Sequence, residues 1–243
     1  MKIGCAPPTD AAGDQSFSAR KKLGKAERAE VDKKLLAALA SNHEEKIGEL
    51  LDWGASVEAR YEACTPIAGW TAGMLCAKKL GQNGAYNKEP KPNYERILRV
   101  CDPGARDSQG LTPLMHAASE CCMEAVSILA PRSDLLAVCG DMGKDFDGGW
   151  TALFFALNVA HVEDGDPDKV NKLERYEAIF EKLACDGAWT VKSREGRDAR
   201  AIVERVSPYE SILALLRAME ARREALAIAN LLMAAPRGSR GAL

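Results

Sequence analysis

The decisive stretch is Gly110-Leu111-Thr112-Pro113-Leu114-Met115-His116-Ala117-Ala118, continued through Val126 and Leu129-Ala130 to Ser133-Asp134. Its opening recurs as Gly69-Trp70-Thr71-Ala72-Gly73-Met74-Leu75-Cys76-Ala77 and as Gly149-Trp150-Thr151-Ala152-Leu153-Phe154-Phe155-Ala156-Leu157. A closing pattern accompanies these openings: Ile47 to Gly54-Ala55, Ile97 to Gly104-Ala105, Val126 to Ser133-Asp134 and Phe180 to Gly187-Ala188, seven residues apart each time. Repetition of this kind marks stacked supersecondary units, none of which buries its apolar face alone. Each position has a local cause. Thr-Pro places a hydroxyl cap and a pre-set φ at the first turn of a helix. Ala117 and Ala118 let neighbouring helices approach, while Val126 and Leu129 supply an i, i+3 apolar face. Gly104 and Gly187 are expected to close helices with positive φ.

The two patterns resemble the halves of the ankyrin repeat, G-x-T-P-L-H-x-A-A and V-x-x-L-L-x-x-G-A, over roughly residues 32–206. The resemblance implies an all-α ankyrin-repeat solenoid of four to five helix-turn-helix units, with turns or short hairpins between them. It also implies non-catalytic protein–protein interaction, as scaffold or regulator. With Trp70 and Trp150 ahead of the threonine, the openings are similar to the divergent TALM-type repeats of protist ankyrin arrays. Met74, Met115 and Phe154 stand where the family has histidine, so packing is expected to replace the inter-repeat hydrogen bonding that the resemblance assigns to that residue. His116 falls one position later, at a normally variable site.

Spacing locates the insertions. From the end of the opening to the Val-type position is 8 residues in the third unit, 20 in the second and 23 in the fourth. Gly81-Gln82-Asn83-Gly84, Pro90 and Pro92 read as a loop in the second insertion. Asp166-Pro167 reads as a cap and first turn that lengthens the fourth unit's second helix from Asp168 through Leu183. Gly196 to Val203 reads as a degenerate last repeat. The resulting division is a disordered tail (1–18), a repeat domain (19–206), a C-terminal capping helix (207–235) and a mobile tail (236–243). Within the domain, Ala26 to Leu51 reads as an N-terminal helix pair, and the C-terminal helix is expected from about Tyr209 to Met233.

Composition bounds the function. With 33 Lys+Arg against 35 Asp+Glu, the net charge of -2 supplies no field for nucleic acid or anionic membrane. No window reaches the ~18 uncharged apolar residues of a membrane span, and the N-terminal stretch lacks a secretory h-region or a myristoylation glycine. Eight cysteines without a C-x-x-C read as reduced thiols of a cytoplasmic protein. The basic run Arg20-Lys21-Lys22 is followed by Glu27 and Glu30 and reads as a solvated helix start, so neither nucleic acid nor membrane is expected as a partner.

Little chemistry is nominated. His116 with Cys121 or Cys122 is a conceivable nucleophile pair, but the sequence assigns it no third polar partner. His43, His116, His161 and the cysteines lack zinc spacing. The run Glu163-Asp164-Gly165-Asp166-Pro167-Asp168 lacks the EF-hand pattern, and neither a P-loop nor a G-x-S-x-G occurs. No enzyme, metal or cofactor is expected. Carrying over the variable positions of the family's concave face nominates Trp70, Lys78, Lys79, Gln109, Leu111, Ser119, Glu120, Trp150, Asn158 and Arg197 as contacts with another protein of unspecified identity. Trp70 and Trp150 are either anchors or braces for the long links before them. The alternatives are an enzyme or small-ligand pocket in the second and fourth insertions, and a homo-oligomer built through the C-terminal helix.

Overall fold

A computed structural model describes residues 24–61, 67–84, 91–140, 148–160, 165–185, 187–206 and 210–234. The expected tails, the Arg20 basic run, Pro90, His161, Glu163-Asp164 and Ser207-Pro208 lie outside these residues. Among the described residues the chain is all-α, with no strand and one isolated bridge, Arg60 to Thr71. Its ten α-helices are α1 (Lys25–Ala40), α2 (Glu44–Asp52), α3 (Ala72–Gly84), α4 (Pro92–Val100), α5 (Pro113–Ser119), α6 (Met123–Leu129), α7 (Ala152–Val159), α8 (Lys169–Leu183), α9 (Ala199–Val206) and α10 (Glu210–Ala234). A 3-10 turn over Ala130–Arg132 extends α6.

The helices pack in consecutive pairs, α1 with α2 and so on to α9 with α10, and the pairs pack in chain order. Odd-numbered helices touch successive odd-numbered helices, α1 to α3, α5, α7 and α9. Even-numbered helices form a second row, α2 to α4, α6, α8 and α10. The core lies between the rows. Met74, Leu114, Phe154 and Val203 come from one, and Ile47, Ile97, Val126, Phe180 and Leu216 from the other, all buried.

Three threonines start the first row's helices. Thr71, Thr112 and Thr151, all buried, accept from the backbone N–H groups of Met74, Met115 and Phe154 through their hydroxyls, at 3.3 to 3.4 Å. Pro113 occupies the first turn of α5 as expected. Met74 and Met115 do more than pack. The thioethers of Met74 and Met115 accept from the N–H groups of Thr71 and Thr112 at 3.4 Å, so each cap is reciprocal, with sulfur as the weak acceptor.

The links before these helices fold as narrow turns or hairpins. Tyr61 N–H bonds Trp70 O, Asp107 N–H bonds Leu111 O, Cys139 N–H bonds Trp150 O and Ser193 N–H bonds Arg197 O. The glycine that opens each motif supplies a positive φ: +80° at Gly69, +75° at Gly110, +83° at Gly149 and +78° at Gly196. Absence of a Cβ also lets one link lie against the next. A Cβ on Gly110 would stand 2.7 Å from Gly140 N, where Gly140 N–H bonds Gln109 O at 2.9 Å. Arg194 N–H bonds Gly148 O at 2.8 Å in the same manner.

Four expectations change. Gly187 does adopt positive φ, but Gly104 does not. Asp102, restricted by the following Pro103, accepts from Gly104 N–H at 2.9 Å in an Asx turn, so α4 ends at Val100 without a left-handed cap. Gly81 to Gly84 belong to α3 rather than to a loop. A Cβ on Gly81 would fall 2.2 Å from the Cβ of Glu120, so glycine there admits α5's end. Asp168, not Asp166, is the residue before α8, and Asp166 instead accepts from Asp168 N–H and pairs with Lys172 at 2.5 Å. Finally, α10 packs on both α9 and α8, so the capping helix is also the second helix of the last pair.

Candidate protein-binding surface

The nominated residues divide by burial. Trp70, Leu111 and Trp150 are 9%, 8% and 5% exposed, so they do not stand on the surface as contacts. Trp70 packs its ring on that of His116, with centroids 4.2 Å apart, and Trp150 lies 5.5 Å from Phe155. Trp150 braces its link against α7, the helix it introduces, whereas Trp70 braces its link against α5 of the next unit. The other nominated positions are half-buried or exposed: Lys78, Lys79, Ser119, Glu120, Asn158 and Arg197 half-buried, Gln109 exposed. Lys78 and Lys79 in the middle of α3, Ser119 and Glu120 at the end of α5, and Asn158 near the end of α7 follow one another along adjacent helices.

Lys78 and Glu120 are paired with each other across α3 and α5. A partner that used either alone would have to break that pair. Ser119 turns its hydroxyl to His116 O at 2.9 Å, and Arg197 pairs with Glu195.

Beneath this row sits a polar cluster that the sequence did not single out. Asp107, with no side-chain exposure, accepts from the N–H groups of Gln109 and Leu111 at 2.9 Å each through Oδ1. Its Oδ2 stands 3.0 Å from His116 Nε2, on a ring 4% exposed. Burial by itself would raise the Asp107 carboxyl. The bonds to His116 and to the Leu111 and Gln109 amides outweigh it and hold the group below its ordinary value. His116 is therefore buried and has a polar partner that the sequence did not assign. Ser193, three residues before Gly196 as Asp107 is before Gly110, accepts from Arg197 N–H at 3.2 Å. A short polar residue at that offset was the available signal.

Arg60 and Arg106 were also missed. Arg60 Nη1 donates to Gly69 O (3.0 Å) and to Arg106 O in the next link (2.7 Å). Arg106 Nη1 repeats the arrangement on Gly110 O (2.9 Å) and Val138 O (2.7 Å). Each guanidinium thus ties one link to its successor. Their distances from the opening glycine, nine and four residues, differ, which hid the recurrence.

Burial pushes the Cys121 thiol up to about 12 and the Cys101 and Cys122 thiols up to about 11, and it raises Cys76 well above its ordinary value. These sulfurs stay protonated near neutrality. Among the described residues, no group of three or more His, Cys, Asp or Glu could hold a metal ion. No helix among them is long and apolar enough to cross a membrane. Between α6 and α8, Met123, Glu124, Asn171, Glu174 and Arg175 line an open cleft of about 440 Å³. Arg175 there is committed to capping Cys121 O at 2.6 Å. No protein-family model matches the chain, and no curated protein does either.

Proposed function

We propose that this chain is an ankyrin-type repeat protein whose role is non-catalytic binding of another protein, in the cytoplasm, along the row of α3, α5 and α7 and the links that introduce them. The observation that carries the reading is the recurrence itself. From α3 onward, each of four successive units brings a positive-φ glycine and one helix of the first row to equivalent places, and three of them add a threonine cap. Polar positions then repeat along a continuous face, and modest contacts can sum on one partner. The proposed contacts are Gln109, Asn158 and Lys79, with the Lys78–Glu120 pair between them, and Arg197 in the link that introduces α9 extends the row. Trp70, Leu111 and Trp150 support this face from below.

The test is affinity capture from the source cell with the full chain against a Gln109→Arg, Asn158→Arg variant. Both positions carry side chains outside the core, so the fold is expected to persist by circular dichroism. A protein held by the parent chain and lost by the variant is the expected result. Identical captured sets would remove this face as the binding surface.

A further inference from the structure

The last helix carries more apolar surface than its neighbours cover. Ile212, Leu216 and Met219, spaced four and three residues apart, are buried where α10 packs on α8 and α9. The same spacing continues through Arg223, Leu226, Asn230 and Met233. Arg223 donates to Cys185 O at 3.3 Å, just past the end of α8. Just beyond it, residues 224–230 are all exposed, with Leu226 at 62% and Ile228 at 58%. A cleft of about 250 Å³ opens at this root, among Ala184, Cys185, Met219, Arg222 and Leu226.

We infer that the distal part of α10 is a self-association helix, covered in solution by the same segment of a second copy of this chain. Three features select that occupant. The seam is continuous with an intramolecular one of the same period, so it is already built to receive a helix. From Ala225 to Ala234 there is no charged residue, which leaves an acidic or basic partner nothing to pair with but lets the stripe meet itself across a two-fold axis. Asn230 is the single polar residue of the exposed seam, and a lone Asn at such a position is satisfied by its own counterpart and fixes register.

A lipid surface fits less well. Ten residues of helix span about 15 Å, half of a hydrocarbon core, and the chain's net charge of -2 gives no attraction to anionic headgroups. An overlap of about ten residues a side is short for a protein interface, so association is expected to be weak and concentration-dependent.

Sedimentation velocity of the full chain over micromolar to millimolar concentration tests this. The expected result is a mass rising from 26.2 kDa toward twice that value, with Leu226→Glu weakening the dissociation constant by about tenfold or more. Leu226 is exposed, so the variant's melting temperature is expected to match the parent's. Asn230→Lys, which brings like charges together, is expected to behave as Leu226→Glu does. A parent chain that stays monomeric throughout would overturn the inference, as would a Leu226→Glu chain that associates equally well. A monomer that co-sediments with phosphatidylcholine–phosphatidylserine vesicles through Leu226 would overturn it in favour of lipid.

Discussion

Alanine at Gly110 tests whether the opening glycines serve backbone conformation alone or also the contact between successive links. Two costs act there. Gly110 has φ +75°, and its new Cβ would meet Gly140 N at 2.7 Å, a backbone atom that cannot rotate away. The left-handed conformation costs alanine about 1–2 kcal/mol. Forcing the two links apart adds about 1–3 kcal/mol, including strain on the Gly140 N–H bond to Gln109 O. Two other glycines separate the costs. Gly196 has φ +78° with nothing within 4 Å of its ideal Cβ, so Gly196→Ala carries only the first, about 1 kcal/mol. Gly140, whose φ lies outside the positive range, would place its Cβ 2.9 Å from Gln109 O, so Gly140→Ala carries only the second, about 2 kcal/mol. Gly110→Ala is then expected to cost about 3 kcal/mol. Urea unfolding followed by far-ultraviolet circular dichroism reads these as midpoint shifts at constant slope. If Gly110→Ala proved no worse than Gly196→Ala, the close approach of the links would contribute nothing and the stacking argument would fall.

Other measurements address the buried groups. The Asp107 carboxyl is held below its ordinary value of 3.8 in the folded chain, so on falling pH the unfolded chain takes up the proton first. Its stabilisation is therefore full above the ordinary carboxylate range and is lost as pH drops beneath it. Urea midpoints from neutral pH into that range are expected to fall, and Asp107→Asn is expected to flatten this acid limb while lowering the unfolding free energy at neutral pH by about 1–3 kcal/mol. An unchanged acid limb in the variant would disprove the role given to Asp107. For the thiols, Cys76, Cys101, Cys121 and Cys122 are expected to resist iodoacetamide at neutral pH until the chain is unfolded, as mapped by peptide mass. Rapid labelling of native Cys121 would contradict its burial and raised pKa.

The candidate surface was legible to differing degrees. Lys78, Ser119 and Asn158 could be assigned to one row because the motif fixes their offset from a threonine, and that offset is a property of the chain. Whether a side chain at such an offset faces water depends on what the next unit places opposite it. Trp70 occupies a position that is variable in the motif, yet His116 of the following unit covers its ring. Lys78 and Glu120, separate candidates in sequence, meet because Gly81 lets the end of α5 approach α3. The reach of Arg60 to Arg106 O spans 46 residues and follows no fixed spacing.

The amino-acid sequence alone determined the helix starts at Thr112 and Thr151, the all-helical class and the pairing of an opening with a closing motif. Hydroxyl caps, proline and apolar period act within a few residues. The tertiary structure alone decided that α4 ends at Val100 and is followed by an Asx turn at Asp102 rather than a left-handed Gly104, that Gly110 sits against Gly140, that Asp107 and His116 are buried together, and that α10 runs past the neighbours that cover its first half. Each of these is set by which atoms of a distant segment arrive within a few ångströms, a distance that close packing imposes and that no local period encodes.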